Sequence, residues 1–101
     1  MLSHGLGVNS AIFASDAVPT NLLEYLYDRN YRVRLFDSRT SIALESNKQQ
    51  STFDQIAQYD YPAAIDFIRQ ATGAADVQCV THCIGSMILF LSIMSGLRGV
   101  R

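Results

Sequence analysis

Short β-branched or aromatic runs alternate with longer helical ones along the whole chain, and this alternation restricts the fold more than any other feature. Met1 to Ser3 reads as the last turn of a strand. Asn21 to Asn30 carries Leu22, Leu23, Leu26 and Tyr27 at helical spacing, with Thr20 placed to cap it. Tyr31 to Asp37 alternates and then turns apolar, as a strand does. Thr52 to Thr72 keeps a helical period through Phe53, Ile56, Ala57, Ala64, Ile65 and Ile68, and Gly73 is its C-cap. Pro62 kinks that span or marks the true start of its second half, with Asp60 as the cap. Val77 to Thr81 is a further strand. Ile84 to Ser95 is a helix apolar nearly all round, which predicts burial on most sides. The resulting order predicts βαβ units: an α/β fold with a parallel sheet, helices on both faces and right-handed crossovers. The polar stretch Glu45 to Ser51 reads as a surface loop.

Length and charge narrow the function classes. A chain of 101 residues, 49% hydrophobic, is one domain with a core. Eight basic and nine acidic residues, net charge −1, argue against a partner bound by phosphate neutralisation, so no nucleic acid is expected. Arg29, Arg32, Arg34 and Arg39 form a loose basic cluster that reads as a solvated face. The most apolar run, Ile84 to Leu97, is 14 residues long, short of the roughly 20 a membrane span needs. Met1 to Gly5 lacks the basic and apolar regions of a signal peptide. Cys79 and Cys83 would stand about 13 Å apart if extended, from about 3.3 Å per residue, too far for a disulfide. Free thiols, a reducing compartment and a cytoplasmic location are therefore expected. Cys79, His82 and Cys83 are too few for a zinc site, and neither a metal nor a cofactor is expected.

The chemistry concentrates at Cys79-Val80-Thr81-His82-Cys83-Ile84-Gly85-Ser86. A strand ends, one nucleophile-type residue follows, and a helix begins at once. Gly85 stands two residues on, where strand and helix approach closely. The segment resembles the nucleophile elbow G-x-S-x-G of the α/β-hydrolase family, with cysteine for serine and Thr81 in place of the first glycine. Cysteine at this position resembles thiol members such as polyhydroxyalkanoate synthases and dienelactone hydrolases. His4-Gly5-Leu6-Gly7 is similar to the H-G motif that follows the third strand in these hydrolases. Tyr59-Asp60-Tyr61-Pro62-Ala63-Ala64-Ile65-Asp66-Phe67-Ile68, followed by Thr72-Gly73, looks like the helix that precedes the elbow in acid lipases and in cholesterol-oxidase-associated hydrolase domains.

The resemblance implies a partial αβα sandwich, the N-terminal part of an α/β-hydrolase core, with the first strand at the centre of the sheet. It implies esterase, lipase or acyltransferase chemistry on an ester or acyl small molecule. Cys83 would be the nucleophile, the N–H groups of Leu6 and Ile84 the oxyanion hole, and His4, Gly5, His82 and Gly85 the supporting motif. Asp37 would be structural. The family places its acid and histidine after the elbow, whereas the histidines here are His4 and His82, and neither is expected to serve as a base. The expectation is one partial domain over 1–101, lacking the strands before residue 1 and the acid- and histidine-bearing part after 101, and inactive by itself. The alternative is a non-catalytic remnant serving as an interaction module, its open sheet edges covered by a second copy or a complementing chain. A flavodoxin-like nucleotide binder is disfavoured, because no phosphate-cradling glycine loop follows a strand.

Overall fold

The structure is a computed structural model and describes residues 1–101. Strands β1 (Leu2–Ser3), β2 (Leu35–Phe36) and β3 (Val80–Thr81) form a parallel sheet in the order β2-β1-β3. Leu2 faces both Leu35 and Val80, and Ser3 faces both Phe36 and Thr81. The α/β class, the parallel sheet and the central first strand are as expected.

The strands are shorter than their sequence patterns. A ladder forms only where both partners exist, and β1 offers two paired residues. Residues 31–33 therefore belong to no ladder. One pairing has no sequence signal: Val77 and Cys79 donate to the carbonyls of Gly99 and Arg101, and Arg101 donates back to Val77. This bridge, Val77 with Val100, lies on the outer side of β3.

The helices follow local chemistry with three differences. Helix α1 (Leu22–Tyr27) is capped by Asn21, not Thr20. Asn21 Oδ1 accepts the Glu24 N–H and Glu24 accepts the Asn21 N–H, a reciprocal box that Thr20 cannot form. The span Phe53–Thr72 is one continuous coil in which α2 (Phe53–Gln55) and α3 (Tyr61–Thr72) flank a π turn over Ile56–Asp60. Asp60 is helical and caps nothing. Thr52 caps the start through Gln55, and Gly73, at φ +71°, ends it. The π turn answers Pro62. Tyr61 N–H reaches back to Ile56, which leaves the Ala57 carbonyl without its helical partner, and the next donor in register, Pro62, has no N–H. The buried Ser92 hydroxyl fills that gap at 2.5 Å. The third difference is Glu45–Lys48, which winds into a 3₁₀ turn on the surface.

The core is built from Met1, Ile56, Ala57, Tyr61, Ile65, Val77 and Ile88, with Phe36 edge-on to Tyr61 at 5.1 Å. Helix α4 (Ile84–Met94) departs from expectation. It buries only Gly85, Ile88 and Ser92, a single line at i, i+3/i+4 spacing. Met87, Phe90, Ile93 and Met94 stand exposed, although the α2–α3 coil and β3 pack against this helix.

Candidate active site

The strand-to-helix junction carries an unusual backbone. Cys83 has φ +58° and ψ −128°, a region costly for any residue with a Cβ. The chain turns sharply off β3, and Cys83 is exposed at the turn with no hydrogen bond to its sulfur. Helix α4 starts one residue later. His82 accepts the Gly85 N–H and Cys83 accepts the Ser86 N–H, whereas Ile84, the first helical residue, precedes the intrahelical ladder.

Thr81, which stands where the resembled elbow has its first glycine, finds a partner for its side chain. Thr81 Oγ1 donates to Ser86 Oγ, which donates to the Thr81 carbonyl, so one hydroxyl pair ties β3 to the first turn of α4.

The His4-Gly5 loop is pressed against this turn. A Cβ on Gly5 would stand 2.8 Å from Cys83 Cβ and 3.1 Å from His82 Nδ1. A Cβ on Gly85 would stand 2.6 Å from the His4 carbonyl oxygen. Gly85 is thus fixed by a backbone approach, and Gly5 by the Cys83 Cβ and the His82 ring. Leu6 follows at the rim, exposed, and its N–H makes no hydrogen bond within the chain. Of the expected site residues, the structure gathers His4, Gly5, His82, Cys83, Ile84 and Gly85 at one junction, with Leu6 next to it.

His4 is buried and fixed. Its Nε2 accepts the Ser38 N–H at 3.1 Å, so the ring carries its proton on Nδ1, which donates to the Gly5 carbonyl at 2.7 Å. With Nε2 accepting, the 3.8 Å approach to Asp37 Oδ1 is proximity and not an ion pair. His82 is exposed and its ring makes no hydrogen bond. Neither imidazole contacts the Cys83 sulfur through a hydrogen bond.

Asp37 is held by three donors: the Ser10 N–H, the Ser10 hydroxyl and the Ser41 hydroxyl, at 2.6–2.8 Å. Partial burial pushes this carboxyl upward, but the Ser10 side chain and backbone and the Ser41 hydroxyl outweigh it, and the group titrates below its ordinary value. Asp37 thereby pins the loop after Gly7 to the end of β2. Arg39 is not an unpaired surface charge. Its guanidinium forks onto Asp60, with contacts at 2.9 and 2.6 Å, and its backbone N–H donates to the same carboxylate.

Tyr61 is not singled out by the sequence pattern, yet it supports the junction from beneath. Its hydroxyl donates to the Gly85 carbonyl at 2.9 Å and accepts from Ser3 Oγ at 2.6 Å. Burial, only partly countered by the Ser3 hydrogen bond, raises its pKa to about 12. The signal that could have found it is a tyrosine on the apolar face of a helix, since a buried phenol needs a polar partner.

Relatives were found at the sequence level, although no family model matches the chain. Gastric triacylglycerol lipase of Mus musculus is 33% identical over 100 residues, covering 90% of this chain and 25% of that protein. Lysosomal acid lipase/cholesteryl ester hydrolase of Homo sapiens is 30% identical over 100 residues, with the same coverage of each. The chain is acid-lipase-like. Lipase member J of Homo sapiens is 32% identical over 101 residues, a match that covers 90% of this acid-lipase-like chain and 27% of that protein. The chain spans about a quarter of the length of the curated relatives it matches. Its small parallel sheet with flanking helices is consistent with the N-terminal part of the lipase α/β-hydrolase fold.

The relatives correct the expected cytoplasmic location: their names are those of gastric and lysosomal proteins, and a Mesocricetus auratus relative is a tear acid lipase-like protein. The inference failed because spacing and fold direction already keep Cys79 and Cys83 from pairing. Their free state therefore says nothing about the redox environment. No helix is long and apolar enough to cross a membrane.

Proposed function

We propose that this acid-lipase-like chain carries the nucleophile and oxyanion portion of an esterase, lipase or acyltransferase, with Cys83 as nucleophile. The observation that carries this reading is the positive-φ Cys83 between β3 and α4, with the His4-Gly5 backbone packed against it. The Cys83 thiol loses its proton to solvent, the thiolate attacks an ester or thioester carbonyl, and the carbonyl π electrons move to oxygen. The N–H groups of Leu6 and Ile84 stabilise that oxyanion. Collapse expels the alcohol or thiol, which takes a proton from water, and leaves an acyl–sulfur bond. Hydrolysis of that bond returns the thiol.

This 101-residue chain is proposed to acylate without appreciable turnover, because no histidine or carboxylate hydrogen-bonds Cys83. Incubation with a p-nitrophenyl ester, followed by mass spectrometry, is expected to show one acyl group on Cys83 and a burst of p-nitrophenol without a steady state. Wild-type protein that acylates no faster than Cys83→Ala overturns the reading.

A second reading is favoured by the bare face of α4. Met87, Phe90 and Met94 are each largely exposed on a helix with no charged residue. In that reading the chain is an interaction module, and a second copy or a complementing chain covers the face. Sedimentation as a monomer at high concentration, together with Cys83 acylation, decides against it.

A further inference from the structure

An apolar cavity lies at the opposite end of the sheet from Cys83. It has a volume of about 320 Å³ and opens beside the N-terminal ends of all three strands. Leu2, Leu26, Val33, Ile68, Val77 and Val80 supply its apolar wall. The volume is at the lower end of the range for small-molecule sites, roughly 300–1,000 Å³.

Positive charge predominates around this cavity. Arg32 and Arg34 line it, and neither has an ion-pair partner. The Arg32 side chain makes no hydrogen bond, and Arg34 makes one, to the Val33 carbonyl. Asp76 also lines the cavity but pairs with neither arginine. The Met1 ammonium is committed to the Gln78 carbonyl at 2.6 Å. An apolar trough flanked by two free guanidinium groups matches an anionic head on an alkyl tail, because guanidinium pairs with a carboxylate through two parallel hydrogen bonds.

We infer that this cavity binds a free fatty acid, its alkyl chain between Leu2, Ile68 and Val80 and its carboxylate on Arg32 and Arg34. The site is separate from the Cys83 junction and does not depend on the function proposed for it. No covalent step is involved.

Calorimetric titration of the 101-residue chain with decanoate, below its micellar concentration, tests the inference. Decanoate is expected to bind with one-to-one stoichiometry, and decanol roughly tenfold more weakly, the size of one hydrogen bond to a charged group. Arg32→Gln with Arg34→Gln is expected to reduce decanoate to the affinity of decanol. Both arginines are exposed, so the fold should survive, which circular dichroism checks. Ala74→Trp, on the exposed lip of the cavity, is expected to abolish binding of both. Cys83→Ala is expected to bind as the wild type does, which separates this site from the elbow. The inference is overturned by absence of saturable binding, by equal affinities for acid and alcohol, by wild-type affinity in either cavity variant, or by a self-association that fills the site and resists decanoate.

Discussion

The His4 carbonyl oxygen and the α-carbon of Gly85 approach so closely that a methyl group on Gly85 would stand 2.6 Å from that oxygen. This contact joins the loop after β1 to the first turn of α4 and leaves Cys83 outside, on the turn between strand and helix. Gly→Ala inside a helix is ordinarily stabilising by about 0.5–1 kcal/mol. At Gly85 the sign reverses. Gly85→Ala is expected to cost about 1–3 kcal/mol, as overpacking does, read as a lower urea midpoint with an unchanged slope.

Cys83→Gly is expected to do the opposite. Glycine occupies φ +58° without the clash of a Cβ, and relief of strain of about 1–3 kcal/mol exceeds the added entropy of the unfolded chain. A midpoint that rises by an amount equivalent to about 1 kcal/mol is the expected result. A fall would mean that the turn is relaxed with cysteine in place. In the wild type, iodoacetamide at neutral pH is expected to label exposed Cys83 before half-buried Cys79, whose pKa is raised mainly by burial.

Tyr61→Phe leaves the Gly85 carbonyl and the Ser3 hydroxyl without their shared partner, at an expected cost of about 1–3 kcal/mol. The phenol also sets an alkaline limit. Its folded pKa of about 12 lies above the ordinary 10, so the folded state disfavours ionisation. Its contribution is complete below pH 10 and is lost as pH rises from 10 towards 12. Titration by absorbance at long ultraviolet wavelength should show one of the five tyrosines ionising last, and that phase should vanish in Tyr61→Phe.

Ser92→Ala removes the only donor to the carbonyl that the π turn and Pro62 leave unpaired. A loss of about 1–3 kcal/mol is expected, large for a serine on a helix. The double variant with Pro62→Ala should lose less than the sum, because an alanine in place of the proline restores an N–H in that turn. Additive losses would sever the proposed link between the proline and the serine.

Asp37→Asn weakens three hydrogen bonds from Ser10 and Ser41 and is expected to cost about 1–2 kcal/mol at neutral pH. The sign with pH follows from a depressed carboxyl. Its contribution is present above the ordinary value of 3.8 and is lost as pH falls below that through the lower folded value. Wild type and Asp37→Asn should therefore converge in stability in acid, as thermal unfolding from about pH 6 down to about pH 2 would show.

Periodicity and punctuation alone determined the alternation of strands and helices, the end at Gly73 and the strand-to-helix step at Cys83, because these depend on neighbours within one or two turns. The residues of the junction were legible for the same reason: a nucleophile flanked by Thr81 and Gly85 is a local pattern. Only the tertiary structure decided what required distant partners. It assigned Tyr61 to Ser3 and Gly85, Ser92 to Ala57, and Arg39 to Asp60. It also exposed one side of α4, which composition alone would bury. Hydrophobicity states how much a side chain gains from leaving water, but only the packed chain provides the surface that covers it.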